Sequence, residues 1–474
     1  HIVSDVPIVA YAHTWGSASS GASMLMPVET WGYAYTTLNS VQSYQANCFS
    51  WLYVIAQHDN TLIEVTPAAI TRTGKPAGTP FTVLLNRGQI YQTMAGPEAG
   101  TAKPEMSGSK IKSITNSAGT CYPIAVFAGS SRTSGPAACG SGGGDNDNQQ
   151  CFPSQAWGKR YLTAPTSNST TASNFMTNTY KIAVKDPTTV VKLNGVQLPL
   201  GTLISNAYYK FESNSADYIE ADKPIMVAQF MTGGGCLGTP GNLGDPEMMY
   251  ISPIEQGIKR IGFYRNSDQA ITVNYLTLII PTNGVPSLRI DGSATIDHSY
   301  PHPQLSGYTV VVKRWTASKS QAIAYSDSAF TAITYGLGSV ESYGYNAGTL
   351  INNLSAVGEI QNTMDPATPS HPFTCDKTPL KLSMLVAYQP TRMVWKLSAL
   401  AGNLTPAVDV TDNAPVSVGT ATVNGLTYYK YTLPGTYTFN NIGTHRIYVD
   451  CTHPSIEKCD NTEELFVEVE VRGK

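Results

Sequence analysis

Charge is scarce in this chain. Asp, Glu, Lys and Arg make up 13% of its 474 residues, about half the usual share in soluble domains. No run of Lys or Arg occurs and the net charge is -3, so the basic patch that nucleic-acid binding requires is missing. No apolar stretch reaches the roughly 18 residues of a membrane-spanning helix. The first residues, His1 to Asp5, have neither the basic start nor the apolar run of a signal peptide. They read as the middle of a strand, as if the sequence opened inside a domain. Catalytic signatures are also missing. There is no Gly-x-Ser-x-Gly elbow, no His-Glu-x-x-His pair and no phosphate-binding glycine loop ahead of a helix. His298 and His302 have a helical metal-ligand spacing, but Pro301 and Pro303 exclude a helix there.

The chain does have 41 Gly, 30 Pro and 27 Tyr, with abundant Thr and Ser. That mixture suits short strands joined by turns, with Tyr and Thr on pleated faces. It has eight cysteines and no Cys-x-x-Cys pair, which weakens zinc and thioredoxin readings. Cys139 and Cys151 flank a Gly-rich loop, and Cys451 and Cys459 a short polar one. Both pairs read as local disulfide staples, with Cys48 and Cys121 as further candidates. Such bridges point to a secreted protein.

The most informative feature is an internal repeat. A Pro-Ile strand phrase, Asp5-Val6-Pro7-Ile8-Val9-Ala10-Tyr11, returns as Cys121 to Phe127 and as Asp222 to Ala228, and more faintly as Ser320 to Tyr325. After a small-residue loop comes a second phrase, Pro27 to Tyr35 with Trp31-Gly32. It returns as Pro153 to Tyr161 with Trp157-Gly158, and as Pro253 to Arg260. The spacing of about 100 residues is that of one small β-domain. The ordinary reading of these phrases is core packing, with Pro opening a strand and the aromatic capping a layer.

These patterns predict an all-β chain: three tandem, sandwich-like β-repeat units over residues 1–364, divided at about 120 and 221. A Pro-rich linker at 365–372 leads to an immunoglobulin-like or PKD-like sandwich at 373–474. The order Cys375, Trp395, Cys451 follows the immunoglobulin Cys-Trp-Cys order. Five cysteines precede the linker and three follow it, so either a bridge crosses or free thiols remain on both sides.

The stretch from His1 to about Gly348 resembles the N-terminal domain of the IgG Fc-binding protein family. The resemblance rests on Met26-Pro27-Val28 with Trp31-Gly32 and Tyr35, and on Leu85-Asn86-Arg87-Gly88-Gln89-Ile90-Tyr91. It also rests on Ser107 to Ile111, Pro123 to Phe127, Trp157-Gly158-Lys159-Arg160-Tyr161, and Gly244-Asp245-Pro246. The segment Glu341 to Gly348 and the domain after it resemble secreted surface proteins of the Bacteroidetes type, often exported by type IX secretion and used in gliding motility. The resemblance implies a non-catalytic, extracellular module for adhesion, motility or matrix structure. Its ligand would be a protein or a glycan, or copies of the chain would assemble into a filament. No residue motif for antibody Fc binding is carried over.

The stretch 140–150 reads as an acidic loop, with Asp145 and Asp147 as weak calcium candidates. Asp245 and Glu247 match them in the next repeat, so the loop face is the expected binding surface. Otherwise no cofactor is expected.

Overall fold

A computed structural model describes the chain except at residues 1, 7, 17–18, 41–47, 97–103, 134–143, 235–242, 317–319, 350–355, 424–425 and 474. The protein is all-β and divides into two compact bodies, 1–116 with 121–352, and 117–120 with 353–474.

The first body opens with a hairpin, β1 (Ala10–Trp15) and β2 (Ser20–Leu25). Repeat A then contains β3 (Ala34–Thr36), β4 (Ser50–Ala56), β5 (Thr61–Thr66), β6 (Phe81–Leu85), β7 (Ile90–Met94), β8 (Lys110–Ile114), β9 (Ile124–Thr133) and β10 (Asp145–Gln150). These strands form two sheets, in the orders β10-β9-β4-β7 and β3-β8-β5-β6. Leu52, Val54, Ile63, Val65, Ile124 and Val126 meet between the sheets in one buried core. The alternation visible in β4 and β5 produces this, because every second side chain points inward.

Repeat B contains β11 (Gly158–Leu162), β12 (Asn178–Val184), β13 (Val191–Leu193), β14 (Val196–Gln197), β15 (Tyr208–Ser213), β16 (Tyr218–Phe230) and β17 (Met248–Ile251). Repeat C contains β18 (Ile258–Arg265), β19 (Ile271–Pro281), β20 (Arg289–Ile290), β21 (His298–Pro301), β22 (Tyr308–Thr316), β23 (Ser320–Gly338) and β24 (Glu341–Gly348). Each makes a seven-stranded sheet in which β16 or β23 is the long central strand. Asn194-Gly195 joins β13 to β14 with both residues at positive φ, as a two-residue hairpin requires.

The repeats are out of phase with the sequence reading. The Pro-Ile strand does not open a unit. β9, β16 and β23 each pair with a strand that precedes them, β4, β12 and β19, and so close their units. The faint fourth copy also moves. Gly32 bridges Ile124, Gly158 pairs with Ile225, and Ile258 pairs with Phe330. The equivalent of Pro-Ile in repeat C is therefore Ala329-Phe330, not Ser320 to Tyr325.

The second body contains β25 (Ala356–Asn362), β26 (Thr374–Cys375), β27 (Leu380–Val386), β28 (Arg392–Lys396), β29 (Leu404–Thr405), β30 (Val410–Asp412), β31 (Gly419–Val423), β32 (Leu426–Thr432), β33 (Thr438–Phe439), β34 (Gly443–Thr452) and β35 (Thr462–Arg472). Its main sheets, β25-β27-β32-β31 and β26-β35-β34-β28-β30, enclose one core around Trp395. The Pro-rich stretch is not a linker ahead of this body. β25 precedes it and pairs with β27 along seven residues, so the stretch is a connection within the body.

The expected staples do not form. Cys121 and Cys459 are each disulfide-bonded, whereas Cys151, Cys375 and Cys451 are free thiols. Cys139 and Cys236 lie outside the described residues, and Cys48 is half-buried. Cys151 and Cys451 are fully buried, and burial pushes both thiols up to about 12. Trp395 therefore packs against a thiol, without a Cys375–Cys451 bridge.

Candidate functional site

Four hairpins, β1–β2, β9–β10, β16–β17 and β23–β24, bring their second strands together in the first body. β2 contacts β10, β10 contacts β17, β17 contacts β24, and β24 contacts β2. The strands β2, β10 and β17 each run into a proline, Pro27, Pro153 or Pro253, that opens a 3-10 turn. The turns interlock in series. A Cβ on Gly32 would lie 2.5 Å from Pro153 Cβ, and one on Gly158 would lie 2.3 Å from Pro253 Cβ. Only hydrogen fits there, because each turn stacks on the next. The neighbouring indoles are held alike: Trp31 Nε1 donates to Met26 O and Trp157 Nε1 to Phe152 O, both at 3.3 Å. Tyr35 and Tyr161 donate to Ile124 O and Ile225 O, both at 2.6 Å. The Trp-Gly phrase is thus a repeat-to-repeat joint.

Where the hairpins converge, five carboxylic acids are buried: Asp145, Asp147, Asp245, Glu247 and Glu341. Asp145 and Asp147 lie on β10, not on a loop, and face inward two residues apart. Asp145 accepts from the Ser20 N–H at 2.8 Å, and Glu247 Oε2 from the Ala22 N–H at 3.2 Å. Gly21 and Gly344 leave the room that Glu247 occupies. Asp147 Oδ2 accepts from Ser40 Oγ at 2.5 Å. Asp147 Oδ1 and Glu341 Oε2 lack a hydrogen-bond partner among the described residues. Nearby, the buried Lys181 amine reaches Glu105 and the Asn39 carbonyl.

Burial dominates the electrostatics here. It pushes the Asp145 carboxyl up to about 8, and Asp147 to about 7 against the opposing pull of Ser40 and Lys181. Asp245 rises to about 6 through burial and the Glu341 charge. Glu247 is held well above the carboxylate range by burial, with Asp145 and Asp147 adding to it. Burial lowers the Lys181 amine, and Glu105 opposes that shift. Desolvation thus favours the protonated form of Asp145, Asp147, Asp245 and Glu247. Among the described residues, no group of three or more His, Cys, Asp or Glu is placed to hold a metal ion.

A small pocket lies between repeats B and C, with Gln229, Ser252, Thr277 and Thr331 as its polar lining. It has no titratable lining residue. Surface character is different at the β6–β7 turn. β6 and β7 are edge strands of the two repeat A sheets. Asn86-Arg87-Gly88 joins them, with Gly88 at φ +77°. The turn is pinned, since Arg87 N–H donates to Asp59 Oδ1 at 3.0 Å and Gly88 N–H to Ala56 O at 2.9 Å. Three residues to either side, Leu84 is 57% and Ile90 59% exposed. Behind them Phe81 meets Tyr91 edge-on, and Lys75 lies over the Phe81 ring.

The IgGFc binding protein family model matches residues 21–336, from β2 into β23 of repeat C. The chain belongs to the IgGFc binding protein family. No curated protein matches it. Within this family fold the motif residues divide by role. Trp31, Gly32, Trp157 and Gly158 make the joints. Asp245 lies in the buried acidic cluster and Pro246 just before β17. Arg87 and Gly88 lie on the surface, at the pinned turn. The expectation that Asp145, Asp147, Asp245 and Glu247 form an outer loop face is corrected: each is buried at the convergence of the hairpins. Sequence reasoning missed Glu341, because its match to Asp145 and Asp245 appears only once β24 is aligned with β10 and β17. It also missed Lys181, which resembles any strand lysine until the fold buries it.

Proposed function

We propose that this chain is an extracellular, non-catalytic module that binds a protein ligand in adhesion at a cell surface. Membership of a family of binding proteins supports binding, and the disulfide-bonded cysteines support an oxidising compartment. Among the described residues no helix is long and apolar enough to cross a membrane.

The observation that carries the reading is the pinned β6–β7 turn. Two aliphatic side chains more than half exposed, an arginine between them and aromatics behind are the composition of a protein-binding hot spot. The full chain is screened against arrays of extracellular proteins and glycans, beside the variant Arg87→Ala/Ile90→Ser. Capture of a protein ligand, lost in the variant at unchanged melting temperature, is expected. Retention by glycans alone, or unchanged capture by the variant, overturns the reading.

A further inference from the structure

A lysine in the middle of a strand usually reaches water, but Lys181 does not. On β12 of repeat B it pairs with Lys210 of β15 and Ala228 of β16, and its side chain is 5% exposed. Its Nζ lies 5.3 Å from the centre of the Tyr208 ring and 5.1 Å from that of Phe230. The segment of repeat A that precedes β8 packs onto this place. A Cβ on Gly108 would lie 2.7 Å from Ala207 Cβ, so the backbones of the two repeats approach closely. The same segment sets the Glu105 carboxyl, 14% exposed, in contact with the Lys181 amine.

The amine also donates to Asn39 O and to Ser107 Oγ at 3.4 Å. The Tyr208 hydroxyl donates to Glu105 Oε1 at 3.3 Å. Asp147 is close enough for its charge to act on both Lys181 and Glu105, and its Oδ1 has no partner among the described residues. Two opposite charges at this depth each forfeit hydration, which their attraction repays poorly. Condensation to an amide removes both charges, and the surroundings suit the amide. The one hydrogen left on Nζ has Asn39 O as its acceptor, and the retained carbonyl oxygen has the Tyr208 hydroxyl as its donor.

We propose that Lys181 and Glu105 are joined by an isopeptide bond that ties repeat A covalently to repeat B. The ammonium first passes a proton to the carboxylate within the pair. The neutral Nζ then attacks Glu105 Cδ, the Nζ–Cδ bond forms, and a Cδ–O bond breaks. Asp147 gives a proton to the departing hydroxyl and recovers one from the nitrogen, so one water leaves and no other reactant is consumed. Burial holds Asp147 protonated up to about 7, which keeps that proton at hand. Groups fixed in contact react as if at about 10⁵ M or more, and the closed site excludes the water that reverses the step. The crosslink goes beyond the protein-ligand reading and uses different residues, so failure of one leaves the other standing.

The test is the intact mass of the folded full chain after complete reduction and denaturation. A mass one water below that of the sequence is expected. Trypsin should then release residues 88–110 joined to residues 161–185 as one branched peptide, uncut after Lys181. Lys181→Met should retain its full sequence mass. Asp147→Asn should lower the crosslinked fraction at least about tenfold at unchanged circular dichroism, as loss of a proton donor requires. The full sequence mass in the folded parent chain, or loss of water without the branched peptide, overturns the proposal and leaves the pair ionic. Loss of one ammonia, with the peptide that contains Asn39 attached at Lys181, overturns the assignment to Glu105. Complete crosslinking in Asp147→Asn overturns the role given to Asp147.

Discussion

Replacing Gly158 by Ala tests the interlocked turns directly. The new methyl group would lie 2.3 Å from Pro253 Cβ, 2.6 Å from Pro253 Cγ and 2.8 Å from Glu255 Oε2. None of these can move freely. Pro253 is buried and opens a 3-10 turn, and Glu255 is buried against Arg160 at 3.1 Å. Forcing a methyl into such a contact costs about 1–3 kcal/mol. Gly158 does not have a positive φ, so Ala also restricts the unfolded chain and returns about 0.4–1 kcal/mol. Glycine-to-alanine controls share that return, so relative to one without the clash the loss is about 1–3 kcal/mol. The control is Gly262→Ala on β18, where an added Cβ meets nothing within 4 Å. Gly32→Ala should behave like Gly158→Ala, since it meets Pro153 at 2.5 Å. Urea unfolding followed by tryptophan fluorescence reads the difference. If Gly158→Ala unfolds at the same urea concentration as Gly262→Ala, the joints are not close-packed and this account fails.

Three further outcomes are expected. The folded-state pKa values of Asp145, Asp147, Asp245 and Glu247 lie above the ordinary carboxyl value near 4. The folded protein therefore holds protons that the unfolded chain releases, so stability is full below about pH 4 and falls as pH climbs through 6 to 8. Melting temperatures from pH 5 to 9 should decline, and less steeply in Asp147→Asn; a rise over that range contradicts the buried-acid reading. Tyr161→Phe strands the Ile225 carbonyl and the Gly158 N–H that the hydroxyl bridges, at a cost of about 1–3 kcal/mol in urea unfolding. An unchanged midpoint would mean that water replaces the hydroxyl. In alkylation at pH 8, Cys151 and Cys451 should stay unmodified in the native protein and react after denaturation, as buried thiols raised to about 12 require. Finding either residue in a disulfide by peptide mapping would refute the free-thiol assignment.

Much of this was legible in the residues. Alternation in stretches such as β4 and β5, and turn residues such as Asn194-Gly195, specify strands and hairpins locally. The Trp-Gly phrase recurs because Gly32 and Gly158 build the same joint, and the Pro-Ile phrase because β9 and β16 are equivalent strands. Repeat phase was less legible. A strand phrase records that a strand exists, and not whether its partner is an earlier or a later strand of the chain. The same holds for Phe330, whose equivalence to Ile124 and Ile225 depends on pairing with Ile258 rather than on its own sequence.

Composition and pattern alone determined the all-β class, the threefold repeat and the lack of familiar catalytic signatures, because those properties depend on neighbours a few residues apart. Only the tertiary structure decided which acids are buried and which cysteines stay reduced. Asp145 and Glu341 lie almost two hundred positions apart in the sequence, and only the convergence of the hairpins brings both into one desolvated cluster. Cys451 lies eight residues from Cys459, but β34 points its thiol into the sandwich core, out of reach of the staple that the spacing suggested.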